Sequence, residues 1–415
     1  MSERRAVSPL KALARFWSGY SFIVVFIVIL VGYKVVNPSL TMAGVMNILR
    51  HSAVIGIMAL GMGLVIITGQ IDLSIGSMLA FVGGLTIIVF NMTNSVIVAA
   101  IAAVAIGALC GLLNGVLVGK AKMPAFIVTL ATMLIFRSVV RYICYTVPVD
   151  ISGGSNSLFK LLSSNSEWKA FFNFGNSKLI GLPLLIAVLA CVEILLVCAF
   201  YRSRSSAKLA GGRVKIIYSV IQAIVIIAVI VFWKPILAFF SSKTIGILPM
   251  TGVFLIALTL LIVYITTSTK FGKQLYAVGS NERAARLSGI NVDNTRIAVF
   301  VITGCLTGIS AFLWIAMNAS VDPATTGGSN EMYAIAAVVL GGISMAGGRG
   351  KCVGILFGVL SYTIIDKIIV AMKMNTLIQD GVKGAILIIV IIIQTMSPVI
   401  KEYFAAKKAR RAIKS

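Results

Sequence analysis

The chain has 415 residues, of which 59% are hydrophobic and only 12% are charged, and its net charge is +24. Soluble domains carry roughly one quarter charged residues, so the composition excludes an ordinary soluble protein and indicates a membrane protein. The basic residues lie between apolar segments and near the chain ends instead of in one stripe, which argues against a nucleic-acid partner and indicates membrane topology.

Twelve apolar segments are long enough to cross a hydrocarbon core of roughly 30 Å. They are predicted at residues 20–36, 52–68, 73–90, 95–118, 124–147, 181–201, 214–240, 244–268, 296–317, 331–346, 352–372 and 377–396. We therefore expect an all-α, polytopic membrane helix bundle of ten to twelve crossings, formed by a single domain over residues 1–415. The even count and the basic residues at both ends predict cytoplasmic termini. The first segment lacks a cleavage site after Val36 and is interpreted as an uncleaved helix.

Polar residues mark the boundary between the second and third segments. Asp72 is a candidate for lining a translocation path or holding a gate, because an unpaired carboxylate is costly in lipid. It is equally a candidate helix cap, since Asp72 and Ser74 precede the third segment. Gln70, Asn114 and Thr129 offer hydrogen-bonding groups, either to a hydroxyl-rich substrate or to a neighbouring helix.

Glycines recur every four residues in two places. They are Gly107, Gly111, Gly115 and Gly119 in one segment, and Gly350, Gly354 and Gly358 in the other. Such smooth faces allow helix backbones to approach closely. Each row follows a glycine pair in the preceding segment, Gly83-Gly84 or Gly341-Gly342. Because these two preceding segments cross in opposite directions in the predicted topology, the pattern favours an inverted internal repeat.

Several charged residues are predicted within the membrane. Arg137 and Arg141 share a helix face in the outer half of the fifth segment, where they either pair with acids or a partner or extend to the headgroups. Glu193, Asp366 and Lys383 also lie within segments, and a carboxylate–lysine pair between helices is possible. Intramembrane acids motivate an alternative function, a proton-coupled secondary transporter.

The sequence offers little for catalysis or cofactor binding. It contains no GxxxxGK[ST] loop for ATP. The single histidine, His51, has no nearby cysteine or carboxylate, and the six cysteines form no CxxC pair, so no metal site is predicted. With twelve acids and no plausible catalytic set, we expect a chain that is not an enzyme and has no cofactor of its own.

Residues 270–295 form a basic stretch that the predicted topology places in the cytoplasm. A short helix is expected there, capped by Asn281, with Glu282 in its first turn and Gly289 at its end. Its small residues suit docking into a groove of a partner. A linker helix at the membrane interface, without a partner, is the alternative.

The pattern Glu282-x-Ala284-Ala285 followed by Ser288-Gly289-Ile290 resembles the coupling loop of ABC importer permeases. Stretches at 69–77, 124–133 and 334–350 are similar to ribose, xylose and galactose permeases, and the most specific match is Gly-Gln-Ile-Asp-Leu-Ser at 69–74. The resemblance covers most of residues 45–396 and implies a type II ABC importer-like fold in the bacterial inner membrane. The residues it implies for coupling to an ATPase are Gly279, Asn281, Glu282, Ala284, Ala285, Arg286 and Gly289.

The resemblance also implies partners and a function. The partners are a second permease copy, a cytoplasmic ATPase that binds ATP and Mg, and an extracytoplasmic sugar-binding protein. The implied function is to pass a monosaccharide inward, with a nucleoside or branched-chain amino-acid permease of the same fold as the alternative. Two departures stand out: Met332-Tyr333, after Asn330 and Glu331, replace the usual leucine and aspartate, and residues 207–245 look like an inserted hairpin.

Overall fold

The computed structural model describes residues 21–146, 249–318 and 321–375, with further positions between 378 and 392. Within this part of the chain the secondary structure is helical and contains no strand, which confirms the predicted all-α class. The helices are α1 Ser21–Val36, α2 Met42–Ile67, α3 Ile75–Thr93, α4 Val96–Gly119, α5 Ala125–Thr146, α6 Met250–Ser268, α7 Lys270–Ser280, α8 Glu282–Leu287, α9 Val292–Asn318, α10 Asn330–Leu340 and α11 Cys352–Ala371.

Seven helices among the described residues are long and apolar enough to cross a membrane, namely α2 to α6, α9 and α11. The shorter helices α1 and α10 are also apolar. These nine helices coincide with nine of the predicted segments. The segments at 181–201 and 214–240 and the inserted hairpin at 207–245 lie outside the described residues, so the choice between ten and twelve crossings stays a prediction.

Helix α2 is the centre of the bundle. Over its most apolar 18 residues 83% are buried, compared with 28% over the corresponding stretches of α4 and α5. It packs against α6, α9, α10 and α11, while α1 packs on α11 through Phe22 and Phe26, whose rings lie 5.5 and 5.6 Å from the ring of Phe357. The helix starts ten residues before the predicted segment because Thr41 Oγ1 caps it by accepting from Gly44 N.

Helices α4 and α9 are in close backbone contact. A Cβ atom at Gly107 would overlap the carbonyl of Gly304, and one at Gly111 would overlap the carbonyl of Phe300. Gly115 continues the row against the preceding turn of α9, so the two helices run antiparallel. Backbones this close require glycine, because any side chain would separate the helices.

Helix α10 is shorter than the predicted segment 331–346. It ends at Leu340 because Gly341 and Gly342 close it, with Gly342 at φ +81, a backbone conformation that glycine adopts without strain. Eleven residues rise only about 16 Å, roughly half of a hydrocarbon core. The helix therefore does not span a membrane alone, and its two ends connect through the non-helical segments 321–329 and 341–351.

The second glycine row joins α10 to α11. Gly341 and Gly354 lie backbone to backbone, and Gly358 lies against the carbonyl of Ala337. The other predicted pair has different surroundings, because Gly83 lies against Val321 and Gly84 against α5. The two glycine pairs are thus not in equivalent contacts, and the inverted repeat stays a prediction.

Candidate functional site

Helix α8 is a single projecting helix of six residues that follows α7. Asn281 Oδ1 accepts a hydrogen bond from Ala284 N at 3.0 Å, which caps its N-terminus. Its C-terminus closes where Gly289 N donates to Arg286 O at 3.0 Å, with Gly289 at φ +79. Both ends of the helix are therefore fixed by local sequence.

The connection between α7 and α8 is anchored under the end of α2. Gly279 touches the carbonyl of Ile67, the last residue of α2, so closely that a Cβ atom would overlap it. The same carbonyl accepts a hydrogen bond from Gly348 N at 2.8 Å, and Tyr276 Oη donates to Gly350 O at 2.9 Å. We call this end of the bundle, formed by α7, α8 and residues 343–351, the α8 end.

One face of α8 is buried and the opposite face is free. Ala285 is buried with Val278 and Val292 in a small apolar cluster. On the other side Ala284 is exposed, and Leu287 is 90% exposed. Single exposed apolar side chains are normal on protein surfaces, so it is the anchored helix beneath Leu287, more than the exposure itself, that makes this face a candidate contact for another protein.

Four charged residues tie α8 to the start of α9. Glu282 pairs with Arg286 at 3.0 Å and with Arg296 at 2.6 Å, and Arg286 pairs with Asp293 at 2.6 Å. Partial burial favours the neutral acid, but hydrogen bonds from Arg286 and Arg296 outweigh this effect and hold the pKa of Glu282 below its usual value. The network links α8 to the first two turns of α9.

A second polar site lies at the helix break between α2 and α3. Asp72 and Asn114 are fully buried. Asp72 Oδ1 accepts from Ser74 N at 2.8 Å and from Ser74 Oγ at 2.6 Å, and Asn114 Nδ2 of α4 donates to Ser74 Oγ at 2.9 Å. Residues 68–74, Asp72 included, are thereby held in an irregular conformation inside the bundle. We call residues 68–74 the break.

The remaining predicted path residues lie next to the break. Thr129 Oγ1 of α5 donates to Ala125 O at 2.8 Å and lies 3.4 Å from Ile71 O. Gln70 is half-buried, and its backbone N donates to Val65 O at 3.1 Å, which closes the end of α2. The structure thus brings the five predicted residues Gln70, Asp72, Ser74, Asn114 and Thr129 to one region.

Glu331 belongs to the same interior and is not among the predicted site residues. Its carboxylate lies against Gly76 in the first turn of α3, where a Cβ atom would overlap it. Gly327 lies against the carbonyl of Gly76, and its φ of +73 suits glycine. The first turns of α3 and α10 therefore meet through these contacts. The available signal in the sequence was an acid at the start of an apolar segment.

Arg137 holds the segment that leads into α10. Its guanidinium donates to Thr326 O at 2.7 Å and to Pro323 O at 3.3 Å. Asp322 closes the same segment by accepting from Ala324 N and from Thr325 Oγ1. Arg137 thus contacts backbone carbonyl groups of this chain, a role that the sequence analysis did not predict for it.

The predicted pairing of intramembrane charges is resolved in part. Lys383 Nζ lies 2.8 Å from Asp366 Oδ1. The same ammonium lies 5.9 Å from the ring centre of Tyr333, which itself packs on Tyr362. Tyr333, one of the two departures from the resembled family, therefore belongs to an aromatic contact between α10 and α11. Glu193 lies outside the described residues.

Seven membrane-length helices among the described residues, a buried polar break and a short exposed helix at one end define a multi-pass helical membrane protein. The chain belongs to the family described as branched-chain amino acid transport system / permease component, whose model matches residues 44–391.

Curated relatives carry sugar-permease names. The xylose transport system permease protein XylH of Escherichia coli (strain K12) is 32% identical over 358 residues, which cover 85% of this chain and 84% of the relative. XylH of Haemophilus influenzae is 31% identical over 91% of this chain and 96% of its own length. The ribose import permease protein RbsC of Escherichia coli (strain K12) is 29% identical over 85% of this chain and 86% of the relative. No solved structure matches the chain.

Proposed function

We propose that this chain is the permease subunit of an ATP-driven importer and passes a monosaccharide across the inner membrane of a bacterium. The relatives named for xylose and ribose, which align over most of the chain, carry the choice of substrate class. Two permease copies, a cytoplasmic ATPase that binds ATP and Mg, and an extracytoplasmic sugar-binding protein complete the proposed assembly. This chain itself hydrolyses no ATP.

Charge supports a cytoplasmic location for the α8 end. Exposed lysines cluster there at the ends of α4 and α6, namely Lys120, Lys122, Lys270 and Lys273. The connections at the opposite end carry fewer basic residues: Lys373 follows α11, Lys34 donates to the carbonyl groups of Pro38 and Leu40, and residues 94–95 carry none. Positive residues accumulate on the cytoplasmic side of membrane proteins. An ATPase bound to α8 would then have direct access to cytoplasmic ATP.

Leu287 is the observation that carries the coupling role. It projects from a helix whose other face is packed against α7 and α9. A force applied to Leu287 by a partner would pass through Gly279 to Ile67, which is the last residue before the break. ATP binding in the partner would thereby act on the polar break, and the helices around it would open to one side of the membrane at a time.

The test is a comparison of two variants of Leu287. Leu287→Asp places a charge where we expect an apolar pocket, whereas Leu287→Met keeps an apolar side chain of similar size. Both side chains are exposed, so both variants should fold as the wild type does.

We expect the ATPase to co-purify with the wild type and with Leu287→Met, and at least about tenfold less of it with Leu287→Asp. The expectation follows because burying an unpaired charge at an interface costs more than about 1.4 kcal/mol, a factor of ten in affinity. Equal recovery of the ATPase with both variants would contradict the docking role of α8.

A further inference from the structure

The buried side chains of the break leave two oxygen atoms without partners. Asp72 and Asn114 have no exposed surface. Asp72 Oδ2 and Asn114 Oδ1 nevertheless have no hydrogen-bond partner, although their other polar atoms meet at the hydroxyl of Ser74. Buried polar atoms in proteins nearly always have a partner. Because both side chains contact the hydroxyl of Ser74, the two unpaired oxygens belong to one small buried polar cluster.

Ser74 fixes which atom of the Asn114 amide is unpaired. The hydroxyl of Ser74 has one proton, and it is donated to Asp72 Oδ1 at 2.6 Å. The contact of 2.9 Å between Ser74 Oγ and the amide therefore requires a donor, which only Nδ2 supplies. Turning the amide over would place two acceptors against each other. The unpaired atom of Asn114 is thus its carbonyl oxygen, an acceptor.

No cation among the described residues pairs with Asp72. The elements packed around the break carry Glu331 of α10, which lies against Gly76, and Arg137 of α5, which donates to carbonyls of 321–329. On α9, Asp293 pairs with Arg286 and Arg296 pairs with Glu282. The last two turns of α2 and the last three turns of α4 contain no charged residue. An ionised Asp72 would therefore be a buried charge without a counter-ion, which is strongly unfavourable.

We propose that Asp72 is a proton-binding site, neutral in this conformation, whose carboxylic acid O–H donates to the amide oxygen of Asn114. One proton, taken up from water by the carboxylate, supplies the missing donor and satisfies both unpaired oxygens. A metal cation such as Ca²⁺ or Mg²⁺ would instead need about six oxygen ligands, more than the two unpaired oxygens offer. The inference stands apart from the proposed function, because protonation is measured on the purified chain alone.

The test is infrared spectroscopy of the purified protein in lipid nanodiscs at neutral pH, with ¹³C-labelled aspartate to identify aspartate bands. We expect the wild type to show a carbonyl stretch of a protonated aspartic acid, and Asp72→Asn to lose it. Asn114→Leu, which removes the acceptor, should shift that band to higher frequency because its hydrogen bond is lost. Asp366→Asn is the matched control, because Asp366 pairs with Lys383 and should contribute only a carboxylate band.

Two results would overturn the inference. Loss of a carboxylate band in Asp72→Asn, with no change in the acid region, would show that Asp72 is ionised. A band of the acid that is converted into a carboxylate band by sodium chloride, but not by choline chloride, would show that the site takes sodium in place of a proton. If Asp72→Asn fails to fold, the shift of the acid band in Asn114→Leu still decides the question, and an unshifted band there would exclude Asn114 as the acceptor.

Discussion

Glu282 connects α8 directly to α9, although the motif in which it lies spans only α8 and the residues just after it. Its two carboxylate oxygens bind Arg286 on α8 and Arg296 on α9. Ala285 in the same helix supplies the apolar part of the attachment, because it packs with Val278 of α7 and Val292 of α9. The local cap at Asn281 and the turn at Gly289 were predictable from the sequence, because their hydrogen bonds lie within four residues. The partner Arg296 was not, since it lies fourteen residues away.

Glu282→Lys should uncouple the ATPase without unfolding the membrane helices. The new ammonium would face Arg286 and Arg296, so α8 would leave its position beside α9 while the apolar bundle stayed intact. Glu282→Gln keeps hydrogen-bonding atoms and serves as the milder control. The measurement is sugar-stimulated ATPase activity of the reconstituted complex, which should drop at least about tenfold for the lysine variant, the loss of roughly 1.4 kcal/mol or more of docking energy. Unchanged stimulation in Glu282→Lys would show that the salt bridges of Glu282 are not needed for coupling to the ATPase.

The pH dependence of the same contact has a defined sign. Because the pKa of Glu282 in the folded protein is below its ordinary value of 4.5, the network is complete above that value. Its contribution is lost only as the pH falls through the lowered pKa. Attachment of the ATPase, followed by co-purification, should therefore be constant from neutral pH down to the ordinary glutamate range.

At the scale of the elements, sequence patterns predict the helices but not all of their ends or contacts. Long apolar segments predicted nine helices because burial in lipid and helix formation depend on residues close together in the chain. The end of α10 depends on Gly342, whose positive φ becomes necessary only in the folded turn. The meeting of α3 and α10 depends on Gly76 and Glu331, which are far apart in sequence, and a single sequence carries no signal for such a contact.

Gly111→Leu should destabilise the protein by separating α4 from α9. A Cβ atom at Gly111 would already overlap the backbone of Phe300, and overpacking of this kind costs roughly 1–3 kcal/mol. Ala105→Leu is the matched control, because Ala105 lies on the exposed side of the same helix. Thermal unfolding in detergent should show a lower Tm for Gly111→Leu alone. Equal Tm values for both variants would mean that the close approach of these helices is not needed for stability.

At the scale of the whole molecule, the proposed function makes the two sites parts of one mechanical path. The exposed α8, the contact of Gly279 with Ile67, and the break at residues 68–74 follow one another through the bundle. Under the proposed function a partner ATPase supplies the motion at α8, and the relatives named as xylose and ribose permeases favour this assignment over a proton-coupled transporter. A protonated Asp72 does not change this assignment, because a proton that stays bound in the break does not cross the membrane and so supplies no free energy for transport.

The decisive measurement is uptake of labelled xylose and ribose into proteoliposomes that contain this chain, the partner ATPase and the sugar-binding protein. The vesicles are compared with ATP supplied on the side of the α8 end, without ATP, and with a proton gradient alone. We predict uptake of a monosaccharide that requires both ATP and the binding protein and that persists when the proton gradient is abolished. Uptake driven by the proton gradient in the absence of ATP would contradict the account.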